Sequence, residues 1–285
     1  MIEREKIVYL HIPKTGGGAM ERFLYDQLKN IRRNYFLSFF GWDDSRFYPD
    51  NQSTNRIYGN KCLIEGIYKN EQLVEEFIIS HHFKQAKMLF GHTTFSLNDL
   101  FPEYKFSYIT VLREPIERTV SNIVQMSNEL NGLIKFGSHF FDAKKLTTEY
   151  WNNIYDILIQ EYPVRGLLVH ENLYLRNCMT HILQGTKFLN ENEEPNLNLA
   201  IHNSRNINIS LYSNFNAGLQ KSFDNVGIPV DMSKNLKALN GEPLLNKNKQ
   251  SFGIYYNAPK KIIDFVIENN QEDIKLYELI SKNLH

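Results

Sequence analysis

The sequence predicts an α/β fold in which a central, mostly parallel sheet of about four or five strands is flanked by helices on both faces. Two segments each consist of a short apolar strand, a turn and a helix, which is the order that builds parallel sheets. A further short strand is predicted at 88–90, and residues 259–284 repeat apolar side chains at helical spacing. These observations favour one domain over residues 1–285.

The first strand–turn–helix unit lies near the start of the chain. Residues 6–12 are rich in β-branched and aromatic side chains, and Pro13 ends the predicted strand. Glycines at 16–18 form a flexible turn, and residues 19–28 predict a helix with one apolar face. A helix that begins directly after such a turn points its backbone N–H groups at a bound phosphate.

The second unit has the same organisation. Residues 105–112 predict a buried strand, Arg113 follows it directly, and Pro115 marks the first turn of a helix. Ser121 lies eight positions after Arg113 in the sequence. With a turn between them, a guanidinium and a hydroxyl can converge on one phosphate, and the arginine fork suits that role because it donates two parallel hydrogen bonds.

Composition excludes several classes of protein. Lysine and arginine together number 32, as do aspartate and glutamate, so wholesale attraction to nucleic acid or to an anionic membrane is not expected. Two cysteines, Cys62 and Cys178, are too few for a disulfide framework. No apolar run is as long as a membrane span, and the strand pattern that begins at Ile7 leaves no room for a signal peptide. We therefore expect a cytoplasmic protein.

The rest of the chain is less regular. Residues 151–183 predict mainly helices. Residues 190–216 are rich in asparagine and poor in large apolar side chains, which predicts a long loop or lid. Within the single domain, insertions are expected near 39–68 and 186–216.

The segment from His11 to Met20 carries the most specific pattern. It is not a Walker A loop, because its lysine precedes the glycines instead of following them. The segment resembles the PAPS-dependent sulfotransferases, nearest the branch that holds heparan sulfate 2-O-sulfotransferases and their bacterial relatives. In that branch a His-x-Pro-Lys-Thr-Gly-Gly/Ser-Thr-Ser pattern binds the 5′-phosphosulfate of 3′-phosphoadenosine 5′-phosphosulfate (PAPS). The matching residues are His11, Pro13, Lys14, Thr15, Gly16 and Gly17. Gly18 and Ala19 depart from the pattern, because the family usually places hydroxyl residues there.

The segment from Thr110 to Ile123 resembles the element of the same family that grips the 3′-phosphate of the nucleotide. Its common form is Arg-Asp/Glu-Pro-x-x-Arg-x-x-Ser. The matching residues are Arg113, Glu114, Pro115, Arg118 and Ser121. The alternative is a plain helix start in which Arg118 and Glu114 form a surface ion pair. Weaker similarities extend the resemblance from about Ile7 to Tyr277.

The resemblance implies a three-layer, P-loop-like fold and PAPS as the donor, with adenosine 3′,5′-bisphosphate as the product and no metal. Lys14 would stabilise the charge that develops on the oxygen between phosphorus and sulfur. The implied cofactor-binding residues are Pro13, Lys14, Thr15, Gly16, Gly17, Gly18, Ala19, Arg113, Ser121, Lys247 and Lys249. The last two lie where relatives close a basic loop over the nucleotide, although a solvated lysine pair is the alternative.

A general base is needed to take the proton of the acceptor hydroxyl. A Gly-His pair that ends the strand at 88–90 matches the place of the catalytic histidine in the heparan sulfate 2-O-sulfotransferases, which makes His92 the candidate. Histidine suits the task because its ordinary pKa is near 6.5. A core histidine is the alternative for His92, and His81, His82 and Glu65 are the other candidate bases. A zinc site from His81, His82, His92 and Cys62 lacks recognisable ligand spacing.

The acceptor is the least constrained part of the prediction. Residues 39–68 are rich in aromatic side chains, which stack on sugars but also fill cores. The neutral charge favours a hydroxyl or amine of a saccharide, a glycolipid or a small natural product over a polyanion. Two rival functions are a P-loop kinase and a nucleotide-binding protein of the same fold without turnover, which the departures at Gly18 and Ala19 keep open.

Overall fold

The computed structural model describes residues 4–28, 31, 36–39, 81–130, 147–156, 175–185, 194–233 and 258–284. Its strands form one five-stranded sheet in the order β2-β3-β1-β4-β5. The bounds of the strands are β1 Glu5–Leu10, β2 Phe36–Phe39, β3 Met88–Gly91, β4 Lys105–Leu112 and β5 Ile207–Leu211. Every pairing between these neighbours is parallel, which confirms the predicted α/β class.

Helices connect the strands and cover the sheet. Their bounds are α1 Gly17–Leu28, α2 His81–Gln85, α3 Leu97–Leu100, α4 Pro115–Leu130, α5 Thr148–Asp156, α6 Cys178–Gln184, α7 Leu197–Ser204, α8 Phe215–Asn225, α9 Lys260–Asn269 and α10 Gln271–Leu284. A 3₁₀ turn at Tyr212–Asn214 joins β5 to α8. None of the helices in the described part of the chain is both long and apolar enough to cross a membrane.

Alternating side chains of β1 place a core on each face of the sheet, because successive strand residues point to opposite sides. Val8 and Leu10 belong to one apolar cluster, which includes residues of α6, α7 and α10. Ile7 and Tyr9 belong to the other, which includes residues of α1 and α8. The molecule therefore has three layers, as the sequence predicts.

A third apolar cluster holds α4, the helix that follows Arg113. Val120 and Ile123 of α4 pack with Trp151 of α5 and with Ile262 and Val266 of α9. This cluster fixes the direction in which α4 leaves the sheet, and so the position of the residues at its start.

In the first half of the chain, the predicted elements that fall on described residues agree well with the observed ones. The strand predicted at 105–112 has those bounds, and the strand predicted at 88–90 extends one residue further, to Gly91. The helices predicted after Pro115 and within 259–284 are present. Of the helical stretch predicted at 151–183, the middle lies outside the described residues.

The loop or lid predicted at 190–216 is wrong. This segment contributes α7, the edge strand β5 and the 3₁₀ turn. Two of its asparagines have structural roles: the Asn196 side chain accepts the Leu199 N–H at 3.0 Å as a helix cap, and the Asn208 amide donates to the Tyr108 carbonyl. Polar side chains on a short edge strand hide the apolar pattern that identified the central strands.

Candidate active site

The candidate site lies at the carboxyl edge of the sheet, where the three central strands end side by side. Strand β1 pairs with β3 on one side and with β4 on the other. The turn after β1, His92 after β3 and Arg113 after β4 therefore meet at one edge. Open parallel sheets bind ligands at this edge.

The turn after β1 has an unusual backbone. Lys14 has φ 70° and Gly16 has φ 87°, whereas Thr15 between them keeps a negative φ. Alternation of this kind turns successive N–H groups toward one concavity, which is a common way to bind an anion. A lysine in the left-handed region is strained and needs support from its surroundings. The buried Thr15 hydroxyl supplies part of it by donating to the Ile12 carbonyl at 2.7 Å.

Gly17, the first residue of α1, is required by a close packing contact. A Cβ at this position would lie 1.8 Å from Nε2 of His11. The imidazole of His11 is buried and stacks on the ring of Phe90, with 5.7 Å between their centroids, so it has little room to move away. The glycine thus lets the histidine cover the start of the helix.

Arg113 links the two turns. Its Nη1 donates to the carbonyl oxygen of Lys14 at 3.2 Å. Its Nε lies 3.5 Å from a carboxylate oxygen of Glu117, and its guanidinium carbon lies 4.9 Å from the centroid of the Tyr212 ring. Arg113 as a whole is 7% exposed. The turns after β1 and β4 are therefore close enough to contact one ligand, as the sequence predicts.

Acidic residues at the start of α4 adjust the charge around Arg113. The Glu114 carboxylate accepts the backbone N–H of Glu117 at 2.7 Å. Burial raises the pKa of Glu117, Arg113 opposes this shift, and Glu114 adds to it. Burial also raises the pKa of the Tyr277 hydroxyl, with Glu114 and Glu117 adding to the shift and Ser213 opposing it. Tyr277 of α10 thus lies near the same group of charges.

His92 lies next to the turn after β1. The His11 backbone N–H donates to the Gly91 carbonyl at 2.9 Å, which holds the ends of β1 and β3 together. The rings of His92 and His11 stack with 4.6 Å between centroids and 30° between planes. His92 is half-buried, and its Nε2 atom lies in the buried part of the side chain.

The other predicted cofactor residues lie on the same two units. Pro13 is buried in the turn, Gly18 and Ala19 form the first turn of α1, and Ser121 is a buried residue of α4. Lys247 and Lys249 lie outside the described residues, so their role stays a prediction.

Arg118 is not part of a surface ion pair, so the alternative raised for this motif is wrong. Its side chain is completely buried, and its Nη2 donates to the Thr119 hydroxyl at 2.7 Å. Burial raises the pKa of the Cys178 thiol to about 12, and the charge of Arg118 opposes that shift. Arg118 therefore belongs to the core between α4 and α6.

The other candidate bases and the candidate zinc ligands are less well placed or lie outside the described residues. Glu65 and Cys62 are outside the described residues, and only the backbone of His81 and His82 is described. The Lys6 ammonium donates to the carbonyls of Phe83 and Ala86, so α2 ends at the amino edge of the sheet, opposite His92. Among the described residues, no three His, Cys, Asp or Glu side chains are grouped to hold a metal ion, and the absence of a metal stays a prediction.

Sequence reasoning missed Tyr212 and Phe215. A Cβ on Gly16 would lie 3.5 Å from the Tyr212 ring and 3.6 Å from the Phe215 ring, so both line the turn after β1. A usable signal was present: Phe215, Leu219 and Phe223 repeat at four-residue spacing, which predicts a helix directly after Tyr212.

A glycine turn, a helix start and a buried arginine at the carboxyl edge are typical of α/β proteins that bind phosphate-bearing ligands. The sulfotransferase family matches residues 1–162, which include both turns and His92. The chain belongs to the sulfotransferase family, whose members are transferases that move sulfuryl groups. A search of curated proteins gives no match to this chain. The match does not separate the heparan sulfate 2-O-sulfotransferase branch from the rest of the family, so that branch stays a prediction.

Proposed function

We propose that this sulfotransferase carries a sulfuryl group from PAPS to a hydroxyl or amine of a saccharide, a glycolipid or a small natural product. The observation that carries the proposal is the hydrogen bond from Arg113 to the Lys14 carbonyl. It joins two turns that we propose bind anions, and a donor with phosphate groups at the 3′ and 5′ positions of its ribose needs two such turns in one site.

The residues at the carboxyl edge fit this donor. The alternating backbone at Lys14–Gly16 and the N–H groups at the start of α1 suit the 5′-phosphosulfate. Arg113 and Ser121 suit the 3′-phosphate, because Arg113 directly precedes α4 and Ser121 lies in the second turn of that helix. Bound PAPS would supply an activated sulfuryl group. The remaining chemistry falls to side chains of this chain.

Lys14 is proposed to stabilise the leaving oxygen. The left-handed backbone at Lys14 and the bond from Arg113 to its carbonyl fix where its side chain begins. A preorganised cation at the bridging oxygen acts more strongly in the transition state than in the ground state.

His92 is proposed to take the proton from the acceptor. Its stacking on His11 places the imidazole beside the turn after β1, where the acceptor must approach the sulfuryl group in line. The position of α2 at the other edge of the sheet supports His92 over His81 and His82.

The two rival functions remain distinguishable by experiment. A P-loop kinase would need ATP and magnesium, whereas the order of lysine and glycines here does not fit a Walker A loop. A protein without turnover would bind the bisphosphate product but leave PAPS intact. A cytoplasmic location and the absence of a metal requirement stay predictions.

Transfer from sulfur-35-labelled PAPS to a panel of saccharides, glycolipids and phenols, with a chelator present, tests the proposal. We expect labelled product from at least one acceptor class and release of adenosine 3′,5′-bisphosphate. Binding of ATP with magnesium in preference to the bisphosphate would overturn it.

A further inference from the structure

Tyr212 is the first residue after β5 and lies at the same edge of the sheet as the two anion-binding turns. One part of its ring faces the Arg113 guanidinium, at 4.9 Å from the guanidinium carbon to the ring centroid. Another part faces Gly16, where its Cε2 atom lies 3.5 Å from the point that a Cβ on this glycine would occupy. A single aromatic ring thus contacts both turns.

We propose that Tyr212 is a positioning residue that sets the plane of the Arg113 guanidinium for the 3′-phosphate. This role rests on the proposed function. The Lys14 carbonyl and the Glu117 carboxylate hold two edges of the guanidinium. Contacts at these two edges fix its direction, and the Tyr212 ring, over which the guanidinium carbon lies, restricts its tilt. An aromatic ring is a frequent partner of arginine in phosphate recognition.

The ring of Tyr212 is itself held firmly. It meets the ring of Phe215 edge-on, with 5.6 Å between centroids and 73° between planes, and Phe215 is buried. Helix α8 lies close against β5, because a Cβ on Gly218 would be 3.0 Å from the Ser210 Cβ. A rigid support is what a positioning residue requires, since a loose ring could not restrict the arginine.

The proposal predicts a defect that depends on the 3′-phosphate. Tyr212→Leu removes the stack, so it should weaken binding of adenosine 3′,5′-bisphosphate about 3- to 20-fold. Binding of adenosine 5′-monophosphate, which lacks the 3′-phosphate, should stay within about 2-fold of wild type. Tyr212→Phe keeps the ring and should restore the wild-type ratio of the two affinities.

Isothermal calorimetry of the full chain with both nucleotides provides the test. The ratio of the two affinities does not depend on the fraction of protein that is folded, so a partly unfolded variant can still be compared with the wild type. Tyr212→Met serves as a second variant that lacks the ring. Tyr155→Leu is the matched control, since Tyr155 stacks on the Lys261 ammonium at 4.3 Å in the α5–α9 region. This control should leave the ratio unchanged.

The outcomes separate this inference from the proposed function. Equal weakening of both nucleotides, or an unchanged ratio in both Tyr212→Leu and Tyr212→Met, would overturn the role of Tyr212 alone. A wild-type protein that binds neither nucleotide would overturn both proposals.

Discussion

Two lysines near the two ends of β1 differ in almost every physical respect. Lys6 is 1% exposed, and its ammonium donates to the carbonyls of Phe83 and Ala86 at 2.6 and 2.8 Å. The same ammonium lies over the rings of Phe83 and Tyr104. Lys14 is half-buried, and its backbone has the left-handed φ that side chains rarely adopt.

The difference distinguishes a lysine that stabilises the fold from one that we propose acts on a ligand. Lys6 caps the carbonyl groups at the end of α2, at the amino edge of the sheet. Its hydrogen bonds there offset the free-energy cost of burying its charge. Lys14 lies in a strained turn beside Arg113, and strain kept in a fold is often found at functional sites. The same residue type thus has opposite expected phenotypes at the two edges.

The largest effect is expected at His92. His92→Ala should lower turnover about 10²- to 10⁴-fold, the usual range for loss of a general base, and should leave nucleotide affinity nearly intact. The fall in turnover at low pH should disappear from the pH–rate profile. Steady-state assays from pH 5.5 to 8.5 measure both effects, with the exposed His202→Ala as the control. Near-normal turnover with an unaltered pH–rate profile would show that another residue is the base, and Glu65 and then His81 or His82 would be tested next.

The next effect is expected at Lys14. Lys14→Ala should lower turnover about 10²- to 10³-fold, because one preorganised donor to the leaving oxygen is lost. Its effect on nucleotide affinity and on the free energy of unfolding should be smaller. Lys260→Ala is the control, since Lys260 forms an exposed ion pair with Asp264 that contributes little. A Lys14→Ala enzyme with wild-type turnover would exclude Lys14 from the chemistry.

Lys6 should show the reverse pattern. Lys6→Met leaves two buried carbonyls without their charged donor, which should lower the free energy of unfolding by about 1.5–3 kcal/mol. Urea unfolding measures this loss, and turnover per folded molecule should stay near wild type. Lost turnover with unchanged stability would remove the contrast between the two edges.

A smaller effect is expected from His181 of α6. Burial lowers its pKa below the ordinary value, with Asp273 opposing the shift. The unfolded chain therefore binds the proton more readily, so stability should fall as pH drops below about 6.5 and level off beneath the lowered pKa. His181→Gln should reduce this dependence in urea unfolding between pH 7.5 and 5.5, whereas the exposed His202→Gln should not. An identical pH dependence of stability in wild type and His181→Gln would show that His181 does not cause it.

Local patterns predicted the central strands and both turns, because apolar runs and glycines are visible in short windows of sequence. Strand β5 was missed because Asn208 and Ser210 interrupt its apolar pattern. Asn208 donates to the Tyr108 carbonyl of β4, and the buried Ser210 hydroxyl hydrogen-bonds with Ser222 of α8. Tyr212 was missed with the strand. The contact between His11 and Gly17 could not be predicted either, since it depends on how the side chain of His11 turns back over α1.

The central claim is that the turns after β1 and β4 bind one nucleotide, which carries phosphate groups at its 3′ and 5′ positions. Calorimetry of Arg113→Ala with adenosine 3′,5′-bisphosphate tests it most directly. Loss of a charge-assisted pair to the 3′-phosphate, about 1.5–3 kcal/mol, should raise the dissociation constant about 10- to 150-fold. A dissociation constant equal to that of the wild type would remove Arg113 from the site and contradict the claim.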